Sequence, residues 1–598
     1  MSQTISFSEQ AFGTVNPTYL CKVVKVAFTG TIVGDGAQPN TPVLAANASY
    51  DGPVSWTFSK PVSNVQFDAG YFNSIGSTVF KFYDAGGHLL QSFTNSQLGI
   101  QHVSYSNYTK IAKVVVAPVG ADDAGFSVDS IQFTYQPPRI ELSKSPNIDG
   151  LLWGYKWDHT SLTYSFPTAA TEYTQNGYKT VNGFEALNTP QQAAYIKILE
   201  NFAGVCGLAF TKTTNQNADL RFAEADSIDY SDGSGLHVPG NATAEGNPPD
   251  PARAVTAQGD VWFTHTTYDN PSLASFAFAA GLMHELGHSL GLKHGHVTQN
   301  GFPKLPAGHD SYEYSIMTYH QYVGDVTDTD NAPDHPSTIM QDDIAALQYL
   351  YGADYNYHKT DTVYQWDANA QFIVNGAPKG TPVNNHALMT IWDGGGYDTY
   401  YFAKNTTAVK VDLNPGNWTT FGDLADLGDG HFARGNVANA LLYNGILDSL
   451  VERAIGGSGN DTLSGNVLDN TLKGGAGDDV LNGRSGNDYL LGQAGEDTFV
   501  FNTHLNASKN VDNLVDFSHQ DDTIQLENKV FVGLSHGTLA TDYFYVGAEA
   551  HDSNDRIIYN KSTGELFFDS DGTGPKPQFE FAYMPKGTSL SANDFFII

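Results

Sequence analysis

Phe278-Ala-Ala-Gly-Leu-Met-His-Glu-Leu-Gly-His-Ser-Leu-Gly-Leu-Lys-His294 holds His284, Glu285, His288, Gly291 and His294 in the order H-E-x-x-H-x-x-G-x-x-H. Residues four apart share one face of a helix, so the imidazoles of His284 and His288 can hold one Zn²⁺ together, with Glu285 beside the open metal position. Gly291 can take the positive φ that ends a helix, which lets the chain return His294 as third ligand. Three protein ligands leave a position for water, the arrangement of a catalytic rather than a structural zinc.

The motif carries an expectation further along the chain. Zinc proteases of the metzincin group place a methionine-containing turn beneath the metal, and Ser315-Ile-Met-Thr-Tyr319 supplies one, with Met317 as the floor and Tyr319 two residues later. On these residues the chain resembles the serralysins, secreted bacterial members of that group. The resemblance implies that Tyr319 reaches the metal, leaves it when substrate binds and stabilises the oxyanion, while Glu285 acts as general base. Implied too are protein or peptide substrates and one catalytic Zn²⁺.

The chain has 598 residues, enough for several cores, and a net charge of −34. So few lysines and arginines argue against nucleic acid or an anionic membrane as partner. No apolar run approaches the ~20 residues that span a bilayer. The segment beginning MSQTISFSEQAFG shows no Sec-type signal pattern. Cys21 and Cys206 fall in different expected domains, so both read as small buried apolar groups and not as a disulfide.

Residues 1–136 read as an all-β accessory domain of sandwich type, with strands around Val54–Phe58, Val79–Tyr83 and Ile111–Val116. Asp122, Asp123 and Asp129 read as solvated loop carboxylates in preference to a cation site. Gln136–Arg139 is a linker. Residues 139–352 form the expected α+β metzincin catalytic domain, with an amphipathic helix through Phe202 capped by Thr189, with Pro190 in its first turn. Strands are expected at Ala218–Phe222 and Gly259–Phe263, the second as the edge strand that lines the cleft. A last helix is expected over Thr338–Tyr351, closed by Gly352.

From Ala353 to Ile598 the chain is β-rich. Ile391–Thr399 resembles the start of the serralysin calcium domain, which implies Asp393, Gly395, Gly396 and Asp398 as calcium ligands, with Glu452 later. A repeat of period nine follows, GGSGNDTLS, GNVLDNTLK, GGAGDDVLN, GRSGNDYLL and GQAGEDTFV, which matches the calcium-binding parallel β-roll. Its candidate ligands are Gly456, Gly457, Gly459 and Asp461, then Gly474, Gly475, Gly477 and Asp479. Gly483, Gly486 and Asp488, and Gly492, Gly495 and Asp497, complete the set. Glycine permits the tight turn, and carboxylate and carbonyl oxygens suit several structural Ca²⁺ ions. The second unit has Asn466, Leu468 and Asn470 where Gly, Gly and Asp belong, which puts its calcium turn in question. Such rolls accompany a C-terminal signal for the type I secretion apparatus. The expectation is therefore a secreted, extracellular protein, with the N-terminal domain either holding a glycan or cell-surface ligand or restraining the active site.

A competing reading comes from Gly287-His-Ser-Leu-Gly291, which spells the G-x-S-x-G elbow of lipases and would make Ser289 a nucleophile. The elbow needs a buried strand just before the serine. A strand carrying His284 and Glu285 fits that poorly.

Overall fold

The structure is a computed structural model. It describes residues 2–5, 7, 14, 18–21, 24–34, 42–47, 49–50, 52–119, 125–135, 138–174, 178–214, 218–230, 236–237, 244–249, 258–263, 276–327, 332–367 and 369–598. Asp122, Asp123, Gln136 and the side chain of Cys21 lie outside the described residues.

Alternation of apolar and polar residues drives the N-terminal region into strands with one buried face, as in Val24–Thr29 and Thr78–Tyr83. Described strands run antiparallel in the order Thr31–Gly34, Pro42–Ala45, Ser127–Thr134, Val54–Phe72, Gly99–Pro118, Thr78–Tyr83, Leu89–Thr94. The two longest pair with each other, with register shifts near Val62 and Phe72. Trp56, Phe67, Phe80, Phe82 and Phe133 are fully buried between the strands. Asp129 stands in the strand Ser127–Thr134, which corrects its reading as a loop carboxylate.

The next region sets helices against a sheet ordered Ala209–Lys212, Ser161–Ser165, Leu220–Glu224, Asp260–Phe263, Ala244–Gly246. The first four run parallel and the last antiparallel. Asp260–Phe263 is thus an inner strand, and Ala244–Gly246 takes the edge expected of it. The helix Thr189–Val205 is capped by Asn188 and not by Thr189: the Asn188 side chain accepts from Gln191 N, and Gln191 answers with Oε1 on Asn188 N. The histidine-bearing helix spans Phe276–Ser289, and Gly291 past its end has φ +102°. The last helix begins at Gln341, later than the expected Thr338, because the Asp343 carboxylate takes the Met340 N–H and fixes the first turn there. Cys206 is buried, its thiol on Phe202 O, and burial pushes its pKa up to about 12.

From Arg453 to Leu526 short strands alternate between two parallel ladders. Arg453 pairs with Thr471 and Thr471 with Tyr489 in one; Thr462 pairs with Val480 and Val480 with Thr498 in the other. Two nine-residue units therefore make one full turn. Leu463, Leu472, Leu481, Leu490 and Phe499 are fully buried between the ladders. Phe595–Ile597 extends one of them, parallel to Thr523–Leu526, and Gly537–Thr538 pairs antiparallel on its far side.

One cluster ties the N-terminal sheet to the middle region. The Asp158 carboxylate accepts from Lys60 Nζ, from Tyr135 OH and from His159 Nδ1, the last at 2.7 Å. His159 Nε2 lies 3.5 Å from Asp219. Burial opposes charge on His159, and so does Lys60, but the bonds to Asp158 and Asp219 outweigh both and raise it to about 9 from 6.5. A raised folded pKa stabilises fully below the unfolded value and is lost as pH climbs through the folded one. The melting temperature should therefore fall as pH rises from 6.5 through about 9, and His159→Gln should flatten that fall in calorimetric scans.

Candidate active site

The helical spacing of His284 and His288 brings their Nε2 atoms to 3.1 Å. The turn at Gly291 returns His294, whose Nε2 lies 3.0 Å from each. Backbone carbonyls fix the rings: His284 Nδ1 is 2.6 Å from Ile316 O, and His288 Nδ1 is 2.9 Å from Leu292 O. Each Nδ1 thus carries the proton, which leaves the Nε2 lone pairs of His284 and His288 aimed at the common centre. Burial, then the neighbouring His288 and His284, hold His294 far below its usual pKa. Three converging lone pairs with no proton among them repel unless a cation sits between. The donor set and the size of the triangle suit one zinc ion bound at ~2.0–2.1 Å.

Glu285 is half-buried beside this triangle, and its Oε2 accepts from Gly246 N of the edge strand at 2.6 Å. A side chain on Gly246 would stand 2.1 Å from Glu285 O, so only glycine lets the edge strand lie directly on the helix. Met317 is fully buried below; a side chain on Gly287, between the first two histidines, would meet its Sδ at 2.6 Å. Asp343 holds this turn through Ser315 Oγ at 2.6 Å and Ile316 N at 2.8 Å. The Tyr319 ring lies 4.6 Å from that of His294 and 5.6 Å from that of His284.

Further supports went unread in the sequence. Trp157 Nε1 donates to Ser289 O at 2.9 Å and Tyr351 OH to Leu290 O at 2.6 Å, so two aromatic side chains satisfy carbonyls at the end of the histidine helix. Buried Lys293 spreads its ammonium over Gly150 O, His294 O and Val297 O, clamping the backbone on both sides of His294. Ser289 is buried in the helix with Oγ on Glu285 O at 3.2 Å. The helix Phe276–Ser289 runs up to it where the elbow requires a strand, and this removes the nucleophile-elbow reading.

The candidate calcium residues gather in two places. Asp393, Asp398 and Glu452 lie together beside Gly395 and Gly396, whose φ values are +137° and +146°. Gly395 N donates to Asp393, and Asp398 N to Glu452. Burial pushes all three carboxyls above their usual range. The repeat aspartates form ladders: Asp461 N donates to Asp479, Asp479 N to Asp497, and Asp497 N to Asp522. On the other edge Asn470 N donates to Asp488 and Asp488 N to Asp512. Asp512 and Asp522 extend the repeat unnoticed; D-N-L and D-T-I were the available signal. Buried Asp398 Oδ2, Asp479 Oδ2 and Asp488 Oδ2 have no hydrogen-bond partner. Each is an oxygen that a hard cation would satisfy, so the residues fit calcium. Repeat glycines line the same turns, where a side chain on Gly456, Gly474, Gly483 or Gly492 would stand 2.1–2.2 Å from the nearest atom. On Gly457, Gly459, Gly475, Gly477, Gly486 and Gly495 it would stand 2.0–2.6 Å away. In the second unit, by contrast, Asn470 donates to Glu452 O and Asn466 to Val451 O.

Gly246→Ala should cost about 1–3 kcal/mol of stability through overpacking, read from denaturant titration.

A family model described as matrixin matches residues 156–301, and one described as the C-terminal region of M10 serralysin peptidases matches 353–597. Metallopeptidase AprA of Pseudomonas marginalis is 31% identical over 431 residues, 69% of this chain and 82% of that protein. Metalloprotease AprA of Pseudomonas entomophila is 40% identical over 253 residues, 41% of this chain and 48% of that one. Serralysin of Proteus mirabilis is 30% identical over 318 residues, 52% of this chain and 60% of its own. Among solved structures, an adhesin domain of Lys-gingipain covers 23% of the chain at 13% identity and a TM-score of 0.17, too low to carry an argument. Identity that extends over four fifths of a metallopeptidase, joined to both family models, makes this chain a member of the serralysin family of metzincins, a zinc endopeptidase that hydrolyses protein substrates.

Proposed function

We propose that the protein is a secreted, calcium-stabilised zinc endopeptidase whose zinc is held by His284, His288 and His294, with Glu285 as general base and Tyr319 as oxyanion donor. The convergence of three Nε2 atoms at 3.0–3.1 Å carries this reading. Zinc there supplies a Lewis acid that polarises the scissile carbonyl and acidifies water. Glu285, aimed by the Gly246 N–H, accepts the proton of the attacking water at a carboxylate oxygen and passes it to the departing amine. The Tyr319 hydroxyl donates to the developing oxyanion. Among the described residues Ala244–Gly246 has a strand neighbour on one side alone, and its other side suits an extended substrate as one more strand. Met317 supports the ring plane of the ligands and does no chemistry.

Three units fit this reading: a β-sandwich over 1–136, a catalytic domain over 139–352, and a calcium-binding β-roll over 353–598. The 18-residue step of the parallel ladders and the orphan carboxylate oxygens support the roll. Asn466 and Asn470 bring their own amide protons to their turn, which supports calcium at the aspartate turns and none at this one. Docking of the N-terminal domain onto Asp158 favours a part in holding the catalytic domain over a freely swinging targeting arm. Cysteine poverty and the acidic surface support export by the type I apparatus.

Glu285→Gln should keep its zinc and lose about 10²–10⁴ in kcat/KM on casein, and a zinc chelator should silence the wild type. Equal activity in both proteins would move the chemistry elsewhere. Asp479→Asn should raise the calcium concentration needed to order the C-terminal domain by about tenfold, followed by circular dichroism during calcium titration.

A further inference from the structure

Between the third zinc histidine and the methionine turn stands a histidine to which the reaction gives no part. The His296 ring lies 5.1 Å from that of His294, at an interplanar angle of 16°, and 4.9 Å from that of Tyr319 at 35°. Behind it is His320, 5.5 Å away, whose Nδ1 is 3.0 Å from buried Asp310. Thr318 Oγ1 donates to the same carboxylate. The backbone around His296 is held as well: Gly295 N donates to Met317 O at 2.8 Å, and Lys293 Nζ to Val297 O at 2.7 Å.

A tyrosine that serves first at the metal and then at the oxyanion needs two positions and little freedom between them. Tyr319 has the rings of His284 and His294 on its metal side. His296 touches both Tyr319 and His294, so it can limit how far the phenol swings. We infer that His296 is a positioning residue whose ring holds Tyr319 against the zinc histidines. This inference rests on the assignment of Tyr319 to the metal. The contact is ring on ring, offset and tilted as aromatic pairs prefer, so a ring of similar shape can make it. Loss of the wall misplaces the phenol by a fraction of a ring width, and misplacement of about 1 Å is enough to cost ~10²-fold in rate.

Copper(II) in place of zinc reports the phenol directly, since a coordinated phenolate gives a charge-transfer band in visible light. His296→Ala should weaken that band and lower kcat about tenfold while KM stays within about twofold. His296→Phe, which keeps a ring of similar shape, should retain both. A full band in a folded, copper-loaded His296→Ala protein would overturn the inference, and so would a Phe variant that behaves like Ala. Were the wild type itself to lack the band, as Tyr319→Phe must, the error would lie in placing Tyr319 at the metal, and the inference would fall with it. Metal content and circular dichroism on each variant separate these outcomes from misfolding.

Discussion

Three imidazole nitrogens held 3.0–3.1 Å apart are the constraint on which the middle of this molecule depends. Without a cation they repel, so the protein must hold them by other means. It does so with carbonyls on Nδ1, an ammonium across the His294 loop, and two aromatic donors at the end of the helix. Leu292 and Lys293 support the site from inside the motif. The segment 150–157, the methionine turn and the last helix converge on the same seventeen residues from outside it.

The same economy of backbone contact explains the two glycines of the helix neighbourhood. Gly246 brings the edge strand onto Glu285, and Gly287 admits Met317 from below. The Glu285 carboxylate and the Met317 thioether are thus placed by the absence of side chains as much as by their presence.

The histidine cluster was legible because a four-residue spacing has one meaning on a helix, and the parallel ladders because a nine-residue period repeats. Less could be read where the signal was short or broken. Ala244–Gly246 has three residues and no alternation, so nothing marked it as the edge, and the role passed wrongly to its inner neighbour. Asn188 and Thr189 are both cap residues; only the reach to Gln191 separates them. Asp512 and Asp522 follow their ladder partners by 24 and 25 residues where the repeat gives 18, so an inserted loop hid them. Trp157, Lys293 and His296 act through tertiary contacts that no local pattern encodes.

The amide turn at Asn466 and Asn470 makes the two edges of the C-terminal ladders unequal. One edge carries Asp461, Asp479, Asp497 and Asp522 in unbroken succession. The other is interrupted by a neutral rung whose hydrogen bonds close within the chain. Were calcium bound there as proposed, its withdrawal would leave repulsion along the full length of the first edge but only up to the rung on the second. Fraying would then begin on the first edge, with the amide rung left as a seed from which the ladders could close again.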